Sequence, residues 1–249
     1  MADQNEFRFS NAVVVAPLLA VLLIWFVYWM ELSFHTNLND FGLYPRKFRG
    51  LRGVFFSPFI HGSLEHLYNN TIPLALLLSF LFYFYREVAF KVLLLGALFS
   101  GLLTWTIGRP SYHIGASGII YLLASFIFFK GIFTKHYRLV ALSLVVVFIY
   151  GSLLWYIFPV KDGISWEGHL GGFLTGLVLA FCLKSKILSH KKFAWENEDY
   201  NEEEDEFLKH FDEDGNFIET TEEEPNQEIE SLKINYVFKK DPNEKSDEE

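Results

Sequence analysis

Apolar positions in this 249-residue chain fall into long unbroken runs, without the alternating or one-sided patterns of a water-soluble domain. Six stretches approach the roughly 20 mostly apolar residues a helix needs to cross a bilayer. They are 12–30, 64–85, 88–107, 115–129, 139–158 and 169–183. The fourth and sixth are short and glycine-rich, and each opens on polar residues. Such runs predict helices that begin below the membrane surface, beneath a water-accessible dip. The pattern therefore predicts an all-α membrane protein: a six-transmembrane-helix core over residues 12–185, preceded by a short cytoplasmic N-terminus, 1–11.

Two segments break the run of spans. Residues 31–62 mix nine apolar or aromatic side chains, among them Phe34, Phe41, Phe48, Phe55 and Phe56, with Arg46, Lys47, Arg49 and Arg52. A structureless loop of that length is uncommon, so the aromatics predict an interfacial element in the headgroup region, with its cations reaching lipid phosphates. Residues 186–249 are acidic with scattered apolar positions. They predict a disordered cytoplasmic tail, because so few apolar groups do not offset the entropy of ordering. Asp212-Glu213-Asp214-Gly215 glances at a calcium loop, with its glycine in the wrong register for an EF-hand.

Charge divides the chain in the same place. Residues 1–195 carry 16 Lys/Arg against 8 Asp/Glu, a net of +8, whereas 196–249 carry 5 against 22, a net of −17. The overall acidity thus belongs to the tail and says nothing about the core's partners. With the N-terminus inside, the inner segments hold ten cations and the outer loops six, which favours both termini in the cytoplasm. Acidic residues ahead of the first run, and its length, predict an anchor in place of a cleaved signal peptide. Cys182 is the single cysteine, so no internal disulfide is available. No metal, cofactor or nucleic-acid partner is expected.

Polar groups inside a bilayer are costly, so each needs a reason. In the second span Ser63 is a candidate N-cap, and His66 and Asn70 follow at i and i+4 on one face. The pair reads either as an interhelical hydrogen-bond pair or as two neutral donors for a developing oxyanion. His61, just before them, reads as support. In the sixth span Gly172, Gly176 and Ala180 form a small-residue stripe that admits a close neighbour, and His169 leads it on nearly the same face. In the fourth span Gly115-Ala116-Ser117-Gly118 clears bulk from around one hydroxyl. Gly118 serves close helix contact and Gly115 leaves room for a substrate backbone.

All three motifs begin helices that start on the same side under six-span topology, so Ser117, His169 and the His66/Asn70 pair fall at similar depth. Together they form the parts of serine acyl transfer. Glu65 and Glu167 lie at helix starts near water and do not orient His169. The reading is therefore a Ser-His dyad, with Tyr121 one turn below Ser117, placed to stack under the imidazole.

The sequence here resembles a rhomboid intramembrane serine protease. The matching motifs are Gly115-Ala116-Ser117-Gly118 (G-x-S-G), His66-Leu67-Tyr68-Asn69-Asn70 (H-x-x-x-N) and His169 to Gly176 (H-x-x-G-x-x-x-G), in order on spans two, four and six. The resemblance covers about residues 12–185. It implies Ser117 as nucleophile, His169 as general base and acid, His66 and Asn70 with the Ser117 amide as oxyanion donors, and Tyr121 beneath the histidine. One departure is the first loop, which lacks the family's Trp-Arg pair. The expected function is cleavage of transmembrane protein substrates within the lipid bilayer of a bacterial inner membrane. The rival is a non-catalytic relative that binds transmembrane clients. A solute transporter is disfavoured by the lack of an inverted repeat. The tail's partner is left open.

Overall fold

The computed structural model describes residues 9–134, 137–149, 155–160, 163–184, 195, 199–202, 205, 207–212 and 214–218, and it divides into two units, Met1–Lys191 and Lys192–Glu249. In the first unit, helix α1 (Ala12–Ser33) is apolar on every side, yet only Val13, Pro17 and Ile24 are buried. Leu18, Leu19, Leu22 and Phe26 stand more than half exposed. An apolar surface of this extent is untenable in water and costs nothing in lipid. Helices α3 (Leu64–Phe84) and α4 (Ala89–Ile107) share that character, and all three are long and apolar enough to cross a membrane. The protein is an integral membrane protein.

Between α1 and α3 the first loop is built rather than free. It contains three 3-10 turns and the one-turn helix α2 (Gly53–Phe56). Its backbone presses against itself: a Cβ at Gly53 would lie 2.1 Å from Leu43 N, and one at Gly50 the same distance from Tyr44 O. Trp105 Nε1 donates to Lys47 O at 3.0 Å, which ties the loop to the end of α4. Phe48, Phe55 and Phe56 remain exposed, while the Arg52 guanidinium lies 4.3 Å over the Phe41 ring.

The centre of the unit is α5 (Ser117–Phe133). It is apolar nearly all round and buried from Ile120 to Ile127, as a helix enclosed by others must be. It packs against α3, α4, α6 (Tyr137–Ile149) and most extensively α7 (Trp166–Cys182). Glycine makes that last contact possible. A Cβ at Gly172 would lie 2.1 Å from Gly118 O, and one at Gly176 would lie 2.4 Å from Leu122 O. Backbone meets backbone, as a small-residue stripe permits. Gly171 does the same on the other side of α7, where a Cβ would stand 2.8 Å from Thr104 Oγ1 of α4. At the far end the buried Lys130 ammonium donates to Ala180 O at 3.0 Å and to Leu183 O. It thereby satisfies carbonyls that the end of α7 leaves open.

The fifth apolar run does not form one helix to Phe158. Within the described residues α6 ends at Ile149, and Trp155–Ile157 form a separate 3-10 turn. Pro159 disfavours helical geometry at Phe158, so helix does not run through that residue. In the second unit, residues 207–212 and 214–218 fold back on each other where the composition points to a structureless tail. A 3-10 turn (Leu208–His210) leads into an antiparallel bridge between Phe211 and Phe217. Asp212 Oδ1 accepts the backbone N–H groups of Asp214 and Asn216, at 3.0 and 2.7 Å. That is an aspartate-centred turn, and it accounts for Asp212. The other tail expectations fall outside the described residues.

Candidate active site

Ser63 caps α3, its hydroxyl accepting the His66 N–H at 3.1 Å. His66 therefore sits in the first turn, with Asn70 one turn deeper on the same side. Both side chains converge on Gly115. A Cβ there would lie 2.5 Å from His66 Nε2 and 3.4 Å from Asn70 Nδ2, and the residue has φ +104°. Space and backbone both demand glycine. The space that the sequence reading reserves for a substrate backbone is filled by this donor pair. Asn70 is 4% exposed, and its Nδ2 has no hydrogen-bond partner among the described residues. An unpaired buried donor costs about 1–3 kcal/mol, which an incoming acceptor would relieve.

Gly115 N donates to Ser57 O at 2.8 Å and so anchors the turn that leads into α5. Ser117 is the first residue of that helix. Its own N–H is one of the donors a helix leaves unsatisfied, at the positive end of the helix dipole. Ser117 Oγ lies 2.9 Å from His169 Nε2. The other ring nitrogen, Nδ1, is 2.8 Å from the Tyr156 carbonyl oxygen. A carbonyl only accepts, so Nδ1 carries the proton and Nε2 presents the lone pair that receives the Ser117 O–H. The His169 ring lies flat on Tyr121, with centroids 4.2 Å apart and planes 13° apart.

The Tyr156 carbonyl thus occupies the place that a carboxylate holds in a triad. A backbone oxygen carries no residue-type signature, and only Pro159, which ends helical geometry nearby, hinted that the chain turns there. Glu167 is buried, at 1% exposure, not near water as its position at a helix start suggests. It faces Arg109, not His169. His61 is also buried, and its ring meets His66 edge-on with centroids 5.0 Å apart. Burial, then the neighbouring His66, pushes its pKa down to about 4. It is neutral at ordinary pH and braces His66.

A small pocket reaches Ser117 between α2, α4 and the turn before α5, lined by Val54, Ala97, Gly101, Thr104 and Ile114. The arrangement holds an alcohol, a nitrogen base on that alcohol, an orienting acceptor behind the base, and donors across the turn. Such a set can activate a hydroxyl for attack on a carbonyl and receive the charge that develops.

Comparison with known proteins agrees with the motif pattern. The rhomboid domain model matches residues 49–186. An uncharacterized protein of Mycobacterium tuberculosis is 36% identical over 179 residues, covering 66% of this chain and 72% of the relative. One from Mycobacterium leprae is 33% identical over 181 residues, covering 69% and 71%. The match runs from within the first loop to the end of α7 and so includes every group just described. The chain belongs to the rhomboid family.

Proposed function

We propose that this protein is an intramembrane serine endopeptidase that cleaves transmembrane protein substrates through a Ser117–His169 dyad. The observation that supports it most is the relay from the Ser117 hydroxyl through His169 to the Tyr156 carbonyl, at 2.9 and 2.8 Å. Ser117 Oγ attacks the scissile carbonyl while His169 Nε2 takes its proton. His66, Asn70 and the Ser117 N–H receive the oxyanion, and His169 returns the proton to the leaving amine. Water then repeats the cycle on the acyl-enzyme. The substrate helix must unwind locally, because a hydrogen-bonded backbone in lipid shields its carbonyls from attack.

The same reading assigns six membrane passes to α1 and α3 to α7, both termini to the cytoplasm, and a bacterial inner membrane as the setting. It places the dyad at the outer ends of α5 and α7. The test is a serine-directed fluorophosphonate probe together with cleavage of a model transmembrane substrate in proteoliposomes. Labelling and cleavage that vanish in Ser117→Ala and His169→Ala, with the fold retained, are the expected outcome. Full activity of Ser117→Ala overturns the reading. Client capture that is indifferent to Ser117→Ala favours the non-catalytic alternative.

A further inference from the structure

Nucleophile and base ride on different helices, and the glycine contacts of Gly172 and Gly176 register those helices on one side of the dyad. A second set of contacts joins them on the other side. Glu167, two residues before His169, accepts the Arg109 backbone N–H through Oε1 at 3.0 Å. Its other oxygen lies 3.8 Å from Arg109 Nη1. Arg109 Nη2 in turn donates to Ile164 O at 2.5 Å. One residue thereby holds both the backbone and the side chain of the loop between α4 and α5.

The contacts continue in a closed circuit. The Arg109 carbonyl is 3.2 Å from His113 Nε2, which must carry the ring proton because a carbonyl only accepts. His113 Nδ1 then accepts the Ser165 hydroxyl, at 2.5 Å. Ser165 Oγ accepts the Gly168 N–H at 3.3 Å as the N-cap of α7, and Ser165 O accepts the His169 N–H at 3.2 Å. A Cβ at Gly168 would stand 2.8 Å from that hydroxyl. The circuit leaves α7 at Glu167, crosses to the loop, and returns to α7 in the turn that carries the base. Two residues beyond His113 the same loop reaches Gly115, and two beyond that Ser117.

We propose that Glu167 is a positioning residue for the dyad: it clamps the loop leading into Ser117 onto the first turn of the helix that carries His169. The proposal rests on the proteolytic reading above. A buried carboxylate is expensive to keep, and an inert packing position would not need one. Here one oxygen accepts the Arg109 N–H, while the other faces the Arg109 guanidinium at ion-pair distance and accepts no hydrogen bond among the described residues. Without it the Arg109 N–H loses its acceptor, and among the described residues the loop's remaining side-chain hydrogen bonds toward the start of α7 are Arg109–Ile164 O and His113–Ser165 Oγ. A misplacement of about 1 Å between reacting groups is enough to cost roughly 100-fold in rate.

The test compares Glu167→Ala with Glu167→Gln, whose amide oxygen still accepts the Arg109 N–H. Cleavage kinetics, fluorophosphonate labelling and hydrogen–deuterium exchange are measured on the full-length protein in detergent. Glu167→Ala is expected to lower kcat and the labelling rate by about 10-fold or more, with KM within about threefold, and to speed exchange of amides 109–118 while α1 and α3 keep wild-type protection. Glu167→Gln is expected to recover kcat to within about threefold of wild type. Wild-type kcat in Glu167→Ala, a Gln variant as impaired as the Ala variant, or faster exchange across every helix overturns the proposal. If wild-type protein neither labels nor cleaves, the proteolytic reading falls, and the exchange pattern alone decides whether Glu167 clamps the loop.

Discussion

Gly172→Ala tests the geometry of the dyad without touching it. The added Cβ lies 2.1 Å from Gly118 O and 3.1 Å from Leu122 N, both backbone atoms that cannot swing aside. Ordinary contact begins at 3.4 Å, so the shortfall is about 1.3 Å and α5 and α7 must part. Alanine's better helix propensity returns about 1 kcal/mol. Overpacking costs about 1–3 kcal/mol, so the net loss reaches about 2 kcal/mol, or roughly 5 °C in thermal midpoint for a protein of this size. The effect on rate is larger. Gly118 adjoins Ser117 and Gly172 is one turn from His169, so if even half the displacement reaches the dyad, its 2.9 Å bond stretches to about 3.5 Å. A loss of about 100-fold in kcat is expected, read by substrate cleavage and fluorophosphonate labelling at a temperature where the variant is folded. Gly118→Ala is the counterpart, since its Cβ would sit 3.4 Å from Gly168 O. Its thermal midpoint is expected within a few degrees of wild type. A Gly172→Ala protein that cleaves within threefold of wild type refutes the argument that backbone contact registers the dyad.

Three further outcomes follow from other contacts. Asn70→Ala removes the buried unpaired amide and is expected to lower kcat by roughly 100- to 1,000-fold with little change in KM; equal kcat would remove Asn70 from the oxyanion site. Lys130→Met leaves Ala180 O and Leu183 O without their donor and is expected to cost about 1–3 kcal/mol of stability in detergent unfolding; an unchanged midpoint would show that the cap is idle. The folded protein keeps His61 neutral, whereas the unfolded chain takes up its proton below about 6.5. Stability from this source is therefore complete above pH 6.5 and falls, by up to about 3 kcal/mol, as pH drops toward 4. His61→Leu is expected to flatten that decline by about one proton, seen as a shallower dependence of unfolding free energy on pH, and a slope identical to wild type would exclude it.

Much of the site was legible in the chain because helical periodicity converts spacing into facing. His66 and Asn70 at i and i+4 do converge on one point, and the stripe headed by His169 does meet α5 at backbone distance. Ser117 and Tyr121, one turn apart, do bracket the imidazole. What escaped was whatever depends on backbone atoms or on contacts between separate segments. The Tyr156 carbonyl carries no side-chain signal. Glu167 looked solvated because helix starts usually face water, and its burial depends on Arg109, 58 residues away. Gly171, in a row of small residues, does not announce that it faces α4 while its neighbour Gly172 faces α5. The non-helical backbone at Phe158 was more accessible to reasoning, since Pro159 already disfavours a helix through that residue.

The group that orients His169 belongs to the peptide chain itself, and this changes what genetics can see. In an enzyme with an aspartate behind its histidine, one codon change deletes the orienting acceptor. Here every amino acid at position 156 supplies the same carbonyl, so no substitution of that side chain removes it. Sensitivity shifts to the path of the backbone through 155–160. A saturation scan of that stretch would therefore show tolerance of side-chain chemistry and intolerance of insertions, deletions and changes at Pro159. Sequence comparison would then register the third member of the proposed relay as a constraint on loop length and on Pro159, with no invariant side chain at position 156 to mark it.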